Sequence, residues 1–201
     1  IIGPLGSYGA YWSQLSAAFA AQGHTVAFSQ TGAASASQLT NLDYLFVFRV
    51  NAAVNNDVKT WVNNGGFLFA EWDATNVFNL GMLSGSHGST FNTNANLNWQ
   101  STTLANQIKA GMSSPTNMST GSGYYRQVNV SGSTEIHAVR AANSGEVLLA
   151  GAAYGSGYAM VCGAALPDLA NSFPNSDQEK MFKNLVGTGS TVNLLPDTLY
   201  L

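Results

Sequence analysis

The sequence predicts an α/β domain with a doubly wound, mainly parallel, flavodoxin-like sheet and an antiparallel C-terminal extension. Three observations predict it. Short apolar runs alternate with helix-period patterns through the first 76 residues. Two of those runs, "DYLFVFRV" and "FLFAEW", show no polar alternation, as strands covered on both faces do. The last third carries four β-rich runs joined by turns such as "ANSGE" and "YGSG", which suit hairpins.

The chain opens on Ile1 and Ile2, which read as part of a first strand and leave room for an upstream segment or signal. The Gly-rich turn "GPLGSYG" follows, and Tyr11, Leu15, Ala18 and Phe19 then recur at helical spacing until Gly23. "HTVAFSQ" is expected as a second strand, and Asp43 to Val50 as a third. A helix carrying Val58, Trp61 and Val62 stops at Gly65 and Gly66, and Phe67 to Trp72 is the fourth strand. A polar insert rich in Ser, Asn and Gly spans about residues 80–120 and holds one short helix in "TTLANQIKAGM". "YYRQVNV", "TEIHAVRAA", "EVLLAGAAYG" and "GYAMVCGAAL" are the late strands. "SDQEKMFKNLVG" closes the domain as a helix, with Ser176 and Glu179 at capping-box spacing. Residues 1–190 thus form one domain, and 191–201 form a tail.

At 201 residues the chain can bury a sizeable core without metals or disulfides. Charged residues make up 8% of it, against roughly 25% in ordinary soluble domains. A polar, nearly uncharged surface offers little repulsion between copies, so self-association is tolerated. A net charge of −3 and scattered basic residues argue against nucleic-acid or acidic-membrane partners. No apolar run reaches membrane-span length. The single cysteine, Cys162, sits between apolar flanks and reads as a buried structural thiol. The charge-poor composition points to an extracellular or cell-surface location.

The ordered pieces "AAQGHTV", "LDYLFVF", "VKTWVNNGGFLFAE", "GSGYAMVCGAALPD" and "QEKMFKNLV" together resemble the class I glutamine amidotransferase-like superfamily, in its non-amidotransferase, trehalose-utilisation-like branch. The resemblance spans most of the chain apart from the insert and the tail. Catalytic members carry a Cys on a sharp strand-to-helix elbow with a His and a Glu supplied later. Here that elbow falls on Ala70, Glu71, Trp72 and Asp73, and Cys162 belongs to a later strand. His137 follows Glu135 in reversed order on a different element. Amidotransferase chemistry, which needs a thiolate, a base and oxyanion donors, is therefore not expected.

Ligands of doubly wound sheets bind at the carboxyl ends of the strands, which makes Arg49, Glu71, Trp72, Asp73 and Asp168 the candidate site, with His87 of "SGSHGST" a loop residue that could join it. Three readings stay open. Arg49 could pair with Glu71 or Asp73 as a structural anchor, the group could bind a ligand or a divalent cation, or Glu71 and Asp73 could act as acid and base. No cofactor is implied: the glycines at 3, 6 and 9 miss the dinucleotide pattern, and no acidic residue closes the second strand. Trp99, Tyr124 and Tyr125 are candidate stacking residues on polar stretches, although core filling is the commoner fate of such rings.

The tail "TVNLLPDTLYL" ends apolar, with Leu194, Leu195, Leu199, Tyr200 and Leu201 as candidate self-association residues, either on a neighbour's sheet edge or folded back on its own domain. The expected role is a catalytically degenerate structural or adhesive subunit that forms homo-oligomers or filaments. The alternative is a carbohydrate-binding or carbohydrate-processing enzyme built on the carboxylates.

Overall fold

A computed structural model describes residues 1, 3, 9–27, 33–72, 75–93, 95–118, 124–166 and 176–187. Residues 4–8 of the turn "GPLGSYG", Asp73, Asp168, the Ser176 cap and the whole 191–201 tail lie outside the described residues or side chains. In chain order the elements are α1 (Gly9–Ala20), α2 (Ala36–Leu39), β1 (Tyr44–Phe48), a 3-10 turn (Asn51–Ala53), α3 (Asn56–Asn63), β2 (Phe67–Glu71) and α4 (Asn76–Asn79). They continue with β3 (Gly85–Asn92), β4 (Leu97–Trp99), α5 (Thr103–Ile108), β5 (Tyr124–Val130), β6 (Glu135–Arg140), β7 (Asn143–Tyr154), β8 (Gly157–Cys162) and α6 (Ser176–Val186).

The sheet runs β1-β2-β8-β7-β5-β3, with β6 also on β7 and β4 beyond β6. β1, β2 and β8 are parallel, in the register Phe48, Glu71, Cys162 across their ends. β7 turns antiparallel onto β8 through Gly155 and Ser156, and Gly155 takes a left-handed φ of 61° that glycine adopts without a Cβ clash. β5, β3, β6 and β4 extend the antiparallel part.

Period-two alternation in the parallel strands divides the core between two faces. Phe46, Phe48, Phe67, Phe69, Tyr158, Met160 and Cys162 pack toward α1, α5 and α6. Leu45, Val47, Leu68, Ala70, Ala159 and Val161 pack toward α2, α3 and α4. Helices therefore cover both faces, as the fold class requires.

Each helix has a local reason to form. α1 buries Tyr11, Trp12, Leu15, Ala18 and Phe19 on one stripe. The Asn55 side chain accepts the Val58 N–H at 3.0 Å and starts α3. Thr102 does the same for Ala105 at 3.0 Å and starts α5. α6 turns Met181, Phe182 and Leu185 inward and keeps a Lys183–Glu179 pair outside at 2.6 Å.

Two expectations need correction. Residues 24–27 form no strand although His24 and Val26 are half-buried and Val26 packs against the core, and 28–30 lie outside the described residues. They still lie alongside the N-terminus, since the Ile1 amino group donates to the Ala27 carbonyl at 2.8 Å. "SGSHGST" is not a free loop: it enters β3, paired antiparallel with β5. Its polar composition hid a strand whose side chains mostly face solvent on both sides.

Candidate functional site

The alternation that builds the core also builds the site. Glu71 follows Phe67 and Phe69 on the face covered by α1, so the last residue of β2 points its carboxylate under the helix. In register beside it stand Phe48 and Cys162. The Tyr11 hydroxyl lies near the group on α1, where burial and then the Glu71 carboxylate raise its pKa well above the ordinary range.

Glu71 is 0% exposed. Its Oε1 accepts the Leu166 main-chain N–H at 2.8 Å, and Arg49 Nε stands 3.9 Å from Oε2. Burial pushes the carboxyl up to about 8, with Arg49 and the main-chain N–H groups of Leu166 and Arg49 pulling the other way. Desolvation wins because the guanidinium is too distant for a hydrogen bond. Burial, followed by the nearby Glu71 charge, likewise raises the Cys162 thiol far above its ordinary range. The thiol is fully buried and makes only a 3.9 Å contact with the Ala164 carbonyl, so it is the inert structural thiol its flanks imply.

The backbone turns sharply after both strands. Arg49 has φ 57° and Trp72 has φ 60°, two non-glycine residues in the left-handed region at adjacent strand ends. The corners bring the side chains together: the Arg49 guanidinium lies over the Trp72 ring at 5.7 Å. Trp72 in turn meets Tyr124 of β5 edge-to-face at 6.3 Å. Tyr124 is 44% exposed, and its hydroxyl accepts from Asn92 Nδ2 at 3.3 Å. Trp72 thus ends β2 on a left-handed corner with its ring between Arg49 and Tyr124.

Of the candidate residues, Arg49, Glu71 and Trp72 come together. His87 does not join them, because β8, β7 and β5 separate its strand from β2 and its ring packs on Phe78 at 5.2 Å. Among the described residues no three His, Cys, Asp or Glu side chains gather as metal ligands. No helix among them is long and apolar enough to cross a membrane. Trp99 is half-buried and donates Nε1–H to Thr116 Oγ1 at 2.7 Å, and Tyr125 is a core residue. Tyr11, Tyr124 and Leu166 complete the site, and the sequence marks only Tyr124.

A second buried polar group lies apart from this one. His137 of β6 is 0% exposed, with Nδ1 2.9 Å from Thr102 Oγ1 and Nε2 2.7 Å from the Tyr158 hydroxyl. Both partners are hydroxyls that can donate or accept, so the neutral ring is satisfied with its proton on either nitrogen. Burial lowers the ring's pKa to about 4 and keeps it neutral.

No protein-family model and no curated protein sequence matches the chain. Solved structures do match. A ThuA-like protein of Bacteroides uniformis superposes with a TM-score of 0.62 at 11% identity, covering 91% of this chain and 86% of its own. A cytoplasmic protein of Salmonella typhimurium gives 0.61 at 12%, covering 88% and 85%. The β-galactosidase of Rahnella sp. R3 gives 0.60 at 12%, covering 87% of this chain and 26% of the enzyme. Another, the GH42 β-galactosidase Gan42B, gives 0.57 at 11%, so the chain spans about a quarter of the length of these enzymes. At such identities the likeness shows the fold, which is that of the ThuA-like proteins.

Proposed function

We propose that this chain is a catalytically degenerate member of the trehalose-utilisation-like branch, serving outside the cell as a structural or adhesive subunit that self-associates. The observation that carries the loss of chemistry is Glu71: it is the one carboxylate described at the carboxyl ends of the parallel strands, and it is 0% exposed. A substrate cannot reach a carboxylate sealed under Tyr11 and held by Leu166. The elbow supplies a tryptophan, which can neither attack a carbonyl nor shuttle a proton.

Association draws its support from the sequence. The surface is poor in charge, and the apolar tail with Leu194, Leu195, Leu199, Tyr200 and Leu201 can lie on a neighbour. Light scattering over a concentration series, with negative-stain microscopy, tests the reading on the full chain and on the chain lacking 191–201. Oligomers or filaments are expected. A monomer at every concentration would refute self-association.

A second reading keeps the strand ends for a carbohydrate. Tyr124 presents an exposed ring beside Trp72, Arg49 and Asn92, which is a stacking surface with hydrogen-bond donors at its rim. Two of the solved structures sharing the fold are β-galactosidases. Tryptophan fluorescence titrated with β-galactosides distinguishes the readings: saturable quenching lost in Tyr124→Ala supports the sugar, and no response removes it.

A further inference from the structure

The sheet has three outer strands among the described residues, and they differ in what lies beyond them. Beyond β1, Ile1 and residues 24–27 border a cavity of about 330 Å³ with Tyr44 and Phe46, and the His24 ring meets Tyr44 at 5.8 Å. On the outer side of β4, Leu97 exchanges main-chain hydrogen bonds with Thr116 at 2.8 and 2.9 Å. β3 pairs with β5 and, among the described residues, with no other strand. Among the described residues it is the exposed edge of the sheet.

That edge lacks most of the devices that keep sheets apart. β3 reads Gly-Ser-His-Gly-Ser-Thr-Phe-Asn over eight residues, with no Lys, Arg, Asp, Glu or Pro. Ser86, Ser89, Thr90 and Asn92 are exposed. A register shift between His87 and Thr90 is the one irregularity, and regular pairing resumes at Thr90 opposite Arg126. The strand is also held firmly from behind. Phe91 stacks on Tyr125 at 5.0 Å and His87 packs edge-on against Phe78 at 5.2 Å. In an antiparallel strand about every second residue turns its N–H and C=O away from the existing partner, so β3 presents a preformed row of donors and acceptors.

We propose that β3 is the self-association edge: β3 of one copy pairs antiparallel with β3 of a second copy, joining two sheets across a two-fold axis. This rests on the self-association reading above and names the surface that performs it. A second copy fits this edge better than an unrelated strand does. Under two-fold symmetry a strand meets its own sequence reversed, so any charge on it would face a like charge nearby. β3 has no Lys, Arg, Asp or Glu, and its Ser, Thr and Asn side chains can hydrogen-bond across such a pairing in either order.

The test is sedimentation velocity on the full chain in three forms: wild type, Ser89→Lys/Thr90→Lys, and Ser89→Glu/Thr90→Glu. Circular dichroism and melting confirm that each variant is folded. Each variant alone should associate at least tenfold more weakly than wild type, and an equimolar mixture of the two should recover association, since opposite charges then face each other. Recovery in the mixture cannot come from a folding defect. Variants that associate like wild type, or a mixture that stays dissociated, overturn the β3 pairing. If association then vanishes on removing 191–201, self-association stands and the tail is its surface. A monomeric wild type overturns both proposals.

Discussion

The Glu71 carboxyl and the Leu166 main-chain N–H meet at 2.8 Å, joining residues 95 apart in sequence at the end of β2. One buried acceptor therefore fixes the chain that leaves β8. The bond gives Glu71 a structural task independent of chemistry. Replacing Glu71 by Ala should leave the Leu166 N–H buried without an acceptor, which costs about 1–3 kcal/mol before any cavity cost. Urea unfolding measures it, and Glu71→Gln, which keeps an acceptor oxygen, should lose far less.

Glu71 also sets a pH dependence. Its folded pKa of about 8 lies above the ordinary 4.5, so the native state holds a proton that the unfolded chain releases. Its contribution is complete below pH 4.5 and is lost as pH rises toward 8, on the order of a few kcal/mol. Glu71→Gln should flatten that slope in unfolding measured at pH 5, 6.5 and 8.

His137 works from the opposite side. Its folded pKa of about 4 lies below the ordinary 6.5, so the unfolded chain takes up a proton first as pH falls. Stability should drop between pH 6.5 and 4, by about 3 kcal/mol at most. The buried imidazole has hydroxyl partners and no carboxylate to stabilise a charged ring. Unfolding of the Glu71→Gln protein across this range isolates the effect, because the two slopes oppose each other in the wild type. A profile flat below pH 6.5 would contradict a buried neutral His137.

The corner at Trp72 stores backbone strain that glycine would relieve. Both Trp72→Gly and Trp72→Ala lose the contacts with Arg49 and Tyr124, but only alanine keeps a Cβ at φ 60°. Glycine should therefore be the more stable of the two by about 1 kcal/mol, the reverse of their order in an ordinary strand.

Much of the parallel core is legible because the apolar runs at 44–48 and 67–70 lack alternation, are aromatic-rich and are too short for helices, which marks strands buried on both faces. α6 is equally plain from Met181, Phe182 and Leu185 spaced against Lys180 and Lys183. β3 is not legible, since Gly85 to Asn92 has neither alternation nor β-branched density, and only Phe91 and His87 turn to the core. At the site, the position of Glu71 follows from the end of an apolar strand. Its burial does not, because Tyr11 and Leu166 come from distant segments whose approach no local pattern encodes. The left-handed corners at Arg49 and Trp72 are hidden for a related reason: neither residue type announces a positive φ.

We propose that this fold works by association and not by chemistry at its strand ends. Sedimentation equilibrium of the full chain tests it most directly, loaded at micromolar to near-millimolar concentration, with β-galactosidase and glutaminase activity assayed on the same samples. Self-association without catalysis should give a molar mass that rises with concentration and no turnover by either assay. A single monomeric species throughout, accompanied by hydrolysis that Glu71→Gln abolishes, would contradict it.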